Sequence, residues 1–495
     1  MVASVTKKPN LRSACDRCYK LKERCERETT SALCVRCKRL GLACAAVRPV
    51  RPAGRVARRD HETEDRVSRT ALLTRKPREQ QLEEEQCTQP GTTQPGTGTV
   101  DACLDALPDV SPEEKELLLF LLGGRPDSLD GYVVCSSFSP ELQRSLAAQL
   151  PAAEPLLKHA YLACAVALKR LHSGPVVAGG ADDNAAACFG YIAKAMRALR
   201  SLSVSRPEDT VLCHTLGAVL ALSIYSVIGV GVPDVSRYCL GTTDPFAGTA
   251  MSGARDDPWQ GFLVLVEIMD CLVYRRKPAA RRIQAPASAE VAVDRRLGLC
   301  LPLLSYWHDL CVISNSLLCA TDEAVLARLH WQLDNVNAAV ESWQPEHSDQ
   351  LAEQFGAAEL VGLLAQAKAY RLGALLVAHR LRFPFGCGED AQADIWSREL
   401  MAELELARRV AGRPLRFAAL PFLVAAVEAT GDASRRDVLC RVDCYVDHYA
   451  PPLRQVARVF LVKVWGERDL NLNGRWLDSI HKPCPVLAAV DAACF

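Results

Sequence analysis

The sequence predicts a mostly α-helical protein with a small cysteine-rich module near its N-terminal end. Three observations lead to this prediction. Six cysteines fall within residues 15–44. A low-complexity stretch follows, in which TQPGT occurs twice. Residues 111–495 then place apolar side chains at intervals of three and four, without sustained alternation of period two.

These patterns divide the 495 residues into four segments. We expect a flexible basic lead at 1–13, the cysteine-rich module at 14–46, a disordered linker at 47–110 and an all-α body at 111–495. The linker is rich in Pro, Gly, Gln and charged residues, which cannot bury a core. The body shows no repeat of about 30 to 45 residues, so a solenoid is not predicted.

Start and stop signals place individual helices in the body. The stretch SPE at 139–141 reads as an N-cap, a first helical residue and a first-turn acid. TDE at 321–323 opens a second helix, and Gly174 ends a third. Further helices are predicted at 258–275, 297–319, 357–381, 392–412, 416–430 and 451–466.

One apolar stretch has the length of a membrane span. From Val211 to Val232 there is no Asp, Glu, Lys or Arg over 22 residues. It contains His214 and a glycine pair, however, and has no basic flank. We therefore predict a buried helix and no membrane association.

Charge is unevenly distributed along the chain. Residues 1–60 hold 16 Lys and Arg against 5 Asp and Glu, a net +11, whereas the whole chain carries +1. The remaining residues therefore carry a net −10. A basic head on an acidic body indicates that the head binds a polyanion and the body does not.

The opening MVASVTKKPNLR has no apolar run, so a secretory signal is not predicted and the 22 cysteines are expected to be reduced. Sixteen of them are scattered, mostly in apolar runs, where Cys packs as a small hydrophobe. A disulfide scaffold and a metal-storage protein are the less favoured explanations of the other six.

Those six cysteines form two matched C-x2-C-x6-C halves. They are Cys15, Cys18, Cys25, Cys34, Cys37 and Cys44. Each half offers three sulfurs, but tetrahedral zinc needs four. Six thiolates can serve two Zn²⁺ ions if two thiolates each bridge both metals. The resulting net charge of −2 would be balanced by the surrounding Lys and Arg.

The module resembles the fungal Zn2Cys6 binuclear-cluster transcription factors. The resemblance rests on the spacing, on ACD at 14–16 and on CVRCKRLGLAC at 34–44. It implies two short helices around two zinc ions, with Cys15 and Cys34 as the bridging ligands. It also implies that Cys18 and Cys25 complete one zinc site, and Cys37 and Cys44 the other.

The same resemblance implies that the first short helix enters the DNA major groove and reads a CGG-type site. Lys22, four residues after the second cysteine, would make the principal base contact, since lysine can donate to guanine O6 and N7. The equivalent position of the second half is Gly41. The other expected DNA contacts, mostly to phosphates, are Arg17, Lys20, Arg24, Lys38 and Arg39.

Three stretches of the body resemble the fungal-specific regulatory domain found downstream of such clusters. They are WQGFLVLVEIMDCLVYRRKP at 259–278, YRLGALLVAHRLRFPFG at 370–386 and PFLVAAVEATGDASRRDVL at 421–439. Together the resemblances imply a nuclear regulator of RNA polymerase II transcription, acting on a secondary-metabolite biosynthetic gene cluster. The expected partners are double-stranded DNA, the transcription machinery, a small-molecule effector and a second copy in a homodimer. No coiled coil is predicted directly after the module.

Two other functional classes stay open: a zinc-stabilised protein-interaction or metabolite-sensing regulator, and an enzyme carried by the body. The sequence contains no G-x-S-x-G, no G-x4-G-K-[ST] and no H-E-x-x-H, so no enzyme is predicted. Glu267 and Asp270 are interpreted as supporting a helix end. Four histidines in apolar helices are interpreted as core or rim residues: His159, His172, His214 and His379.

Overall fold

The chain falls into two compact units, Met1–Gln89 and Pro90–Phe495. The computed structural model describes residues 25, 34, 37–38, 100, 104–105, 109–123, 126–173, 183–229, 231–243, 257, 259–279, 293–320, 322–345, 348–385, 390–446 and 449–470. Most of these residues lie in the larger unit, which holds the predicted all-α body.

Within the described ranges the body consists of fifteen α-helices and no β-strand, which confirms the predicted all-α class. The first eight are α1 Pro112–Leu122, α2 Ser139–Gln149, α3 Glu154–Ser173, α4 Asp183–Ser201, α5 Pro207–Val227, α6 Val232–Thr243, α7 Gln260–Tyr274 and α8 Leu304–Cys319. The others are α9 Glu323–Ser342, α10 Ser348–Gln354, α11 Ala357–Arg382, α12 Asp390–Ala411, α13 Ala419–Val427, α14 Asp432–Tyr445 and α15 Pro451–Asp469. Three short 3₁₀ helices are Pro126–Tyr132, Ser136–Phe138 and Leu301–Leu303.

The helices pack in two groups that share one core. In the first group α3 lies against α4 and α5, and α5 against α6. In the second α11 lies against α9, α12 and α13. Helix α7 contacts α6 and α8, and α15 contacts α5 and α13, so both helices join the groups. The buried apolar residues form a single cluster from Leu104 to Trp465.

Aromatic residues hold the second group together. The rings of Trp307 and Tyr370 meet edge to face with centroids 6.3 Å apart. The Tyr370 hydroxyl donates to the Phe417 carbonyl oxygen at 2.8 Å, so its polar end is satisfied inside the core. This contact ties α11 to the segment that leads into α13.

Two predicted helices are shorter than expected. Helix α8 begins at Leu304 and not at residue 297, because Gly298 has a positive φ of 54° and a 3₁₀ turn precedes the helix. Helix α13 spans 419–427 and not 416–430: Phe417, with φ 52°, precedes its start, and Glu428 is its C-cap. Backbone in the left-handed region cannot continue a right-handed helix.

The two helix starts predicted from capping residues differ in which residue is the N-cap. Asp322 is the N-cap of α9, and its side chain accepts from the Ala324 N–H at 3.0 Å, as expected. Ser139, by contrast, is the first residue of α2, and Phe138 occupies the N-cap without a side-chain bond. The 3₁₀ turn Ser136–Phe138 runs directly into α2, which moves the cap by one residue.

The apolar stretch from 211 to 232 is mostly a core helix. Helix α5 covers it up to Val227, and the chain then turns through Gly229 and Gly231, both with positive φ, into α6. Glu208–Val227 and Ala357–Arg382 are long and apolar enough to cross a membrane, but 78% and 72% of their apolar windows are buried inside the body. Such burial is typical of core helices.

The body also includes residues that precede α1. Leu104 is buried in the apolar cluster, and the Asp105 carboxylate accepts from Lys115 Nζ at 2.6 Å. Packing therefore reaches residues within the predicted linker. Most of that linker, and the basic lead at 1–13, lie outside the described residues.

Candidate functional site

The second C-x2-C pair of the cysteine-rich module forms one compact turn. Cys34 and Cys37 are both buried. The Cys37 N–H donates to Cys34 Sγ at 3.4 Å, and the Lys38 N–H donates to the Cys34 carbonyl at 2.9 Å. A backbone N–H directed at sulfur favours the thiolate form, which is the form that binds metal.

These residues fit a zinc site on chemical grounds. A single turn that presents two buried sulfurs supplies half of a tetrahedral thiolate set. Cys25 of the first half is partly buried. No group of three or more His, Cys, Asp or Glu side chains is placed to hold a metal among the residues that the structure describes. Three of the predicted ligands, Cys15, Cys18 and Cys44, lie outside those residues.

Lys38 is the one predicted DNA contact that the structure describes. It is exposed and lies in the same helical turn as the buried Cys37. A charged side chain that points outward next to an inward thiol is the arrangement needed to contact phosphate. The other predicted contacts, Arg17, Lys20, Lys22, Arg24 and Arg39, lie outside the described residues.

The buried histidine of the body has a structural environment. His214 Nε2 lies 2.9 Å from Thr243 Oγ1, and that hydroxyl itself donates to the Cys239 carbonyl at 2.9 Å. On the other side of the ring, Nδ1 contacts the Asp257 carboxylate. Because both ring nitrogens are engaged, His214 is a core residue, as predicted.

The other three histidines contact aromatic rings. His159 lies near Tyr191 and His172 near Phe120. His379 packs edge to face on Trp396 with centroids 5.8 Å apart. These contacts confirm their interpretation as core or rim residues.

The acid pair of α7 stabilises the end of that helix, as predicted. Asp270 accepts from Arg276 at 3.1 Å and from Arg237 of α6 at 2.5 Å. Glu267 accepts from the Ala279 N–H at 2.6 Å. Both carboxylates are thus bound to groups at the end of α7 or on its neighbour.

The burial of Arg296 was not predicted from the sequence. Arg296 is fully buried, and its guanidinium lies 3.7 Å from the centroid of the Trp259 ring and 5.7 Å from that of Phe262. Burial lowers the pKa of Arg296 to about 10. In the sequence Arg296 follows Arg295, and adjacent arginines are usually exposed. The local sequence therefore does not indicate that Arg296 is buried.

Surface cavities of ligand size lie in the part of the body that the structure describes. A groove of about 550 Å³ lies between α12 and α14, with Ala425 and Ala429 among its lining residues. A second cavity of about 340 Å³ lies between α8 and α9. Ligand sites in proteins have volumes of about 300–1,000 Å³, so either cavity has room for a small molecule.

Comparison with known families finds a similarity for part of this body. Residues 262–484 match the family described as the Fungal specific transcription factor domain. The match begins inside α7 and includes α8 to α15, which confirms the predicted regulatory domain over that range. No curated protein and no solved structure gave a match.

Residues 262–484, about 45% of the chain, are thus similar to a fungal-specific transcription factor domain, and in the described residues this part is helical. This family indicates transcription regulation, and it is not an enzyme family. The part of the body before residue 262 lies outside the match, although its apolar residues belong to the same buried cluster.

Proposed function

We propose that the protein is a nuclear, zinc-dependent DNA-binding regulator of RNA polymerase II transcription. The observation that carries the proposal is the pairing of two C-x2-C-x6-C halves, rich in Lys and Arg, with a fungal transcription-factor domain on the same chain. Two Zn²⁺ ions would hold the module, and the basic residues would bind the DNA backbone. The nuclear location follows from the transcription-factor class.

The uneven charge supports DNA binding by the module and not by the body. The first 60 residues carry a net +11 and the remainder a net −10, so a DNA polyanion is attracted to the module and repelled by the body. Binding should therefore weaken steeply as salt is added.

The test is a binding titration of the zinc-loaded full chain against a CGG-containing duplex and a scrambled duplex. We expect Lys22→Ala to lose preference for the CGG site, by about 1–3 kcal/mol, since it removes a base contact. The matched control is Lys20→Ala, which should weaken binding to both duplexes equally and lower the salt slope by about one. Equal affinity of the unmodified protein for the two duplexes would refute sequence-specific binding.

The body is the candidate binding domain for a small-molecule effector. The groove of about 550 Å³ between α12 and α14 is the observation that favours a small-molecule ligand. A thermal-shift screen of pathway metabolites tests this role, because a ligand of the folded state raises the melting temperature. Ala429→Leu places a larger side chain in the groove lining. It should abolish the ligand-induced rise in melting temperature if the ligand binds in the groove.

The proposed targets are genes of a secondary-metabolite biosynthetic cluster, as the resemblance implies. Neighbouring biosynthetic genes in the genome would support this proposal. Absence of transcript changes in those genes after deletion of the regulator would refute it.

A further inference from the structure

Two buried cysteines meet where α5 packs against α6. Cys213 of α5 is 1% exposed, and Cys239 of α6 is fully buried. Both are free thiols, and the Cys239 thiol donates a hydrogen bond to Cys213 Sγ. The two sulfurs are therefore neighbours inside the core.

Two further contacts fix the register of α6 on α5. His214, the residue after Cys213, has its Nε2 at 2.9 Å from Oγ1 of Thr243, which lies one turn after Cys239. A Cβ on Gly217, one turn after Cys213, would collide with Cys239 Sγ. Because Gly217 has no side chain, the Cys239 sulfur lies directly against the backbone of α5. These contacts hold Cys239 beside Cys213 independently of the bond between the sulfurs.

The two thiols differ in how easily they lose a proton. The hydrogen bond from Cys239 lowers the pKa of Cys213, although burial and the Asp257 carboxylate oppose this effect. The same hydrogen bond raises the pKa of Cys239, and burial adds to the rise. Cys213 is thus the sulfur that becomes a thiolate, which is the nucleophilic form of cysteine, and Cys239 keeps its proton.

A second buried pair lacks this asymmetry. Cys164 of α3 and Cys188 of α4 are also buried free thiols on packed helices. The Cys188 thiol donates to the Ala163 carbonyl oxygen at 3.4 Å, so its proton does not stabilise a sulfur anion. Burial raises the pKa of both Cys164 and Cys188 to about 12, which keeps them as unreactive thiols at neutral pH.

We propose that Cys213 and Cys239 form an oxidation site that hydrogen peroxide converts into a disulfide between α5 and α6. The Cys213 thiolate attacks one peroxide oxygen, so an S–O bond forms and the O–O bond breaks. The hydroxide that leaves takes up the proton released by Cys213. Cys239 Sγ then displaces the hydroxyl group of the Cys213 sulfenic acid, and the Cys239 proton leaves with it as water. Two thiols are thus oxidised by two electrons, and one peroxide is reduced to two waters.

The disulfide would connect helices on both sides of the boundary of the family match. Arg237 of α6 binds Asp270 of α7 at 2.5 Å, and the match to the fungal-specific domain begins inside α7. A covalent bond from α5 to α6 therefore joins the part of the body before residue 262 to a helix that contacts the start of the matched domain.

Peptide mapping of the full chain tests the proposal. The reduced protein is treated with hydrogen peroxide, its remaining thiols are alkylated, and it is digested with trypsin. Trypsin releases Cys213 in peptide 201–237, since it does not cleave before Pro207. Cys239 is released in peptide 238–255, and each peptide holds one cysteine. We expect a linked pair that is lighter by two hydrogen atoms than the two peptides together. Its absence from peroxide-treated protein would overturn the proposal.

The second buried pair is an internal control in the same digest. Cys164 is released in peptide 159–169 and Cys188 in peptide 171–194, again with one cysteine each. Because neither of these thiols ionises readily, their linked pair should form at least about tenfold less than that of Cys213 and Cys239. Equal amounts of the two linked pairs would show that burial side by side is sufficient, and would overturn the assigned role of Cys213.

Two single variants test the order of the reaction. Cys239→Ser retains a hydroxyl donor but no second sulfur, so oxidation should stop at a Cys213 sulfenic acid, which dimedone labels on peptide 201–237. Cys213→Ser should leave Cys239 unlabelled. The reverse labelling would overturn the assignment of Cys213 as the nucleophile. Cys188→Ala is the matched control and should still form the disulfide, and circular dichroism checks that each variant is folded. Since all measured peptides come from the body, the result is independent of the proposed DNA binding.

Discussion

At the residue scale, the buried pair of Arg380 and Glu428 connects three helices. Arg380 of α11 binds Glu428 at the end of α13 through Nη2 at 2.7 Å and Nε at 3.1 Å. Its Nη1 binds Asp390, the first residue of α12, at 2.6 Å. Burial raises the pKa of Glu428, and the Arg380 cation opposes that rise. The Arg380 cation therefore offsets part of the free-energy cost of burying the Glu428 carboxylate.

We predict that Arg380→Met lowers the free energy of unfolding by about 3–5 kcal/mol, because it leaves Glu428 buried without its cation. Urea denaturation measures this loss. The double variant Arg380→Met with Glu428→Leu should recover most of it. The control is Arg382→Met on the same helix, whose ion pair with Asp334 is exposed and should contribute only about 0–1 kcal/mol. Equal losses at the two positions would contradict the prediction.

The turn between α5 and α6 offers a second prediction at this scale. Gly229 and Gly231 both have positive φ, 75° and 78°. A Cβ on Gly229 would lie 2.7 Å from Pro452 Cβ, whereas one on Gly231 would meet nothing within 4 Å. Gly231→Ala should thus cost about 1–2 kcal/mol of backbone strain, and Gly229→Ala about 1–3 kcal/mol more. Guanidinium denaturation of both variants gives the difference, and its absence would show that Pro452 can move.

At the element scale, α12 has three distinct faces: one buried against the core, one bound to α11 and one apolar and exposed. Near the C-terminal end of α12, the Glu405 carboxylate accepts from Arg408 at 2.8 Å and from Arg409 at 2.9 Å. These two guanidinium groups lower the pKa of Glu405 from 4.5 to about 2.

The lowered pKa gives a pH prediction for this helix. A carboxylate with a depressed folded-state pKa stabilises the fold above its unfolded value and loses that contribution as protons bind. The Glu405 contribution is therefore complete above about pH 4.5 and disappears as the pH falls toward 2. Glu405→Gln should remove it, by about 0.2–1 kcal/mol, because solvent screens an exposed pair. Thermal melts from pH 7 to 2.5 measure this, with Glu353→Gln as the control, since Glu353 is an exposed residue of α10.

At the scale of the whole molecule, the two units obtain their stability from different sources. The body buries one continuous apolar cluster, whereas the module at 14–46 is too short for a hydrophobic core, and under the proposed function it would depend on zinc bound by its cysteines. Metal removal should therefore act on the module alone.

We predict that a zinc chelator abolishes DNA binding but leaves the helices of the body folded. Binding titrations follow the first effect, and far-UV circular dichroism of the same sample follows the second. Restored binding after addition of zinc is the control for irreversible damage. A large loss of helical signal on chelation would show that the body also depends on metal.

Helix formation was predictable from the sequence wherever the apolar period was long and uninterrupted, as in α11 and α12. The exceptions were helix ends set by distant contacts. Phe417 has a positive φ where its carbonyl oxygen accepts from Tyr370, 47 residues earlier, and nothing in the local pattern indicates this. The cysteine spacing also predicts a metal-binding module, which stays a prediction; of its six cysteines, Cys34 and Cys37 lie in one turn.

The sequence by itself determined the period of the helices, the two cysteine halves and the separation of charge between head and body. Each of these is a property of residues close together along the chain. Only the tertiary structure decided that Arg380 and Arg296 are buried and that Ile395 and Leu406 are exposed. The reason is physical, because burial depends on which distant helices pack against a residue. An apolar face has the same helical period whether it packs against the core or is exposed to solvent.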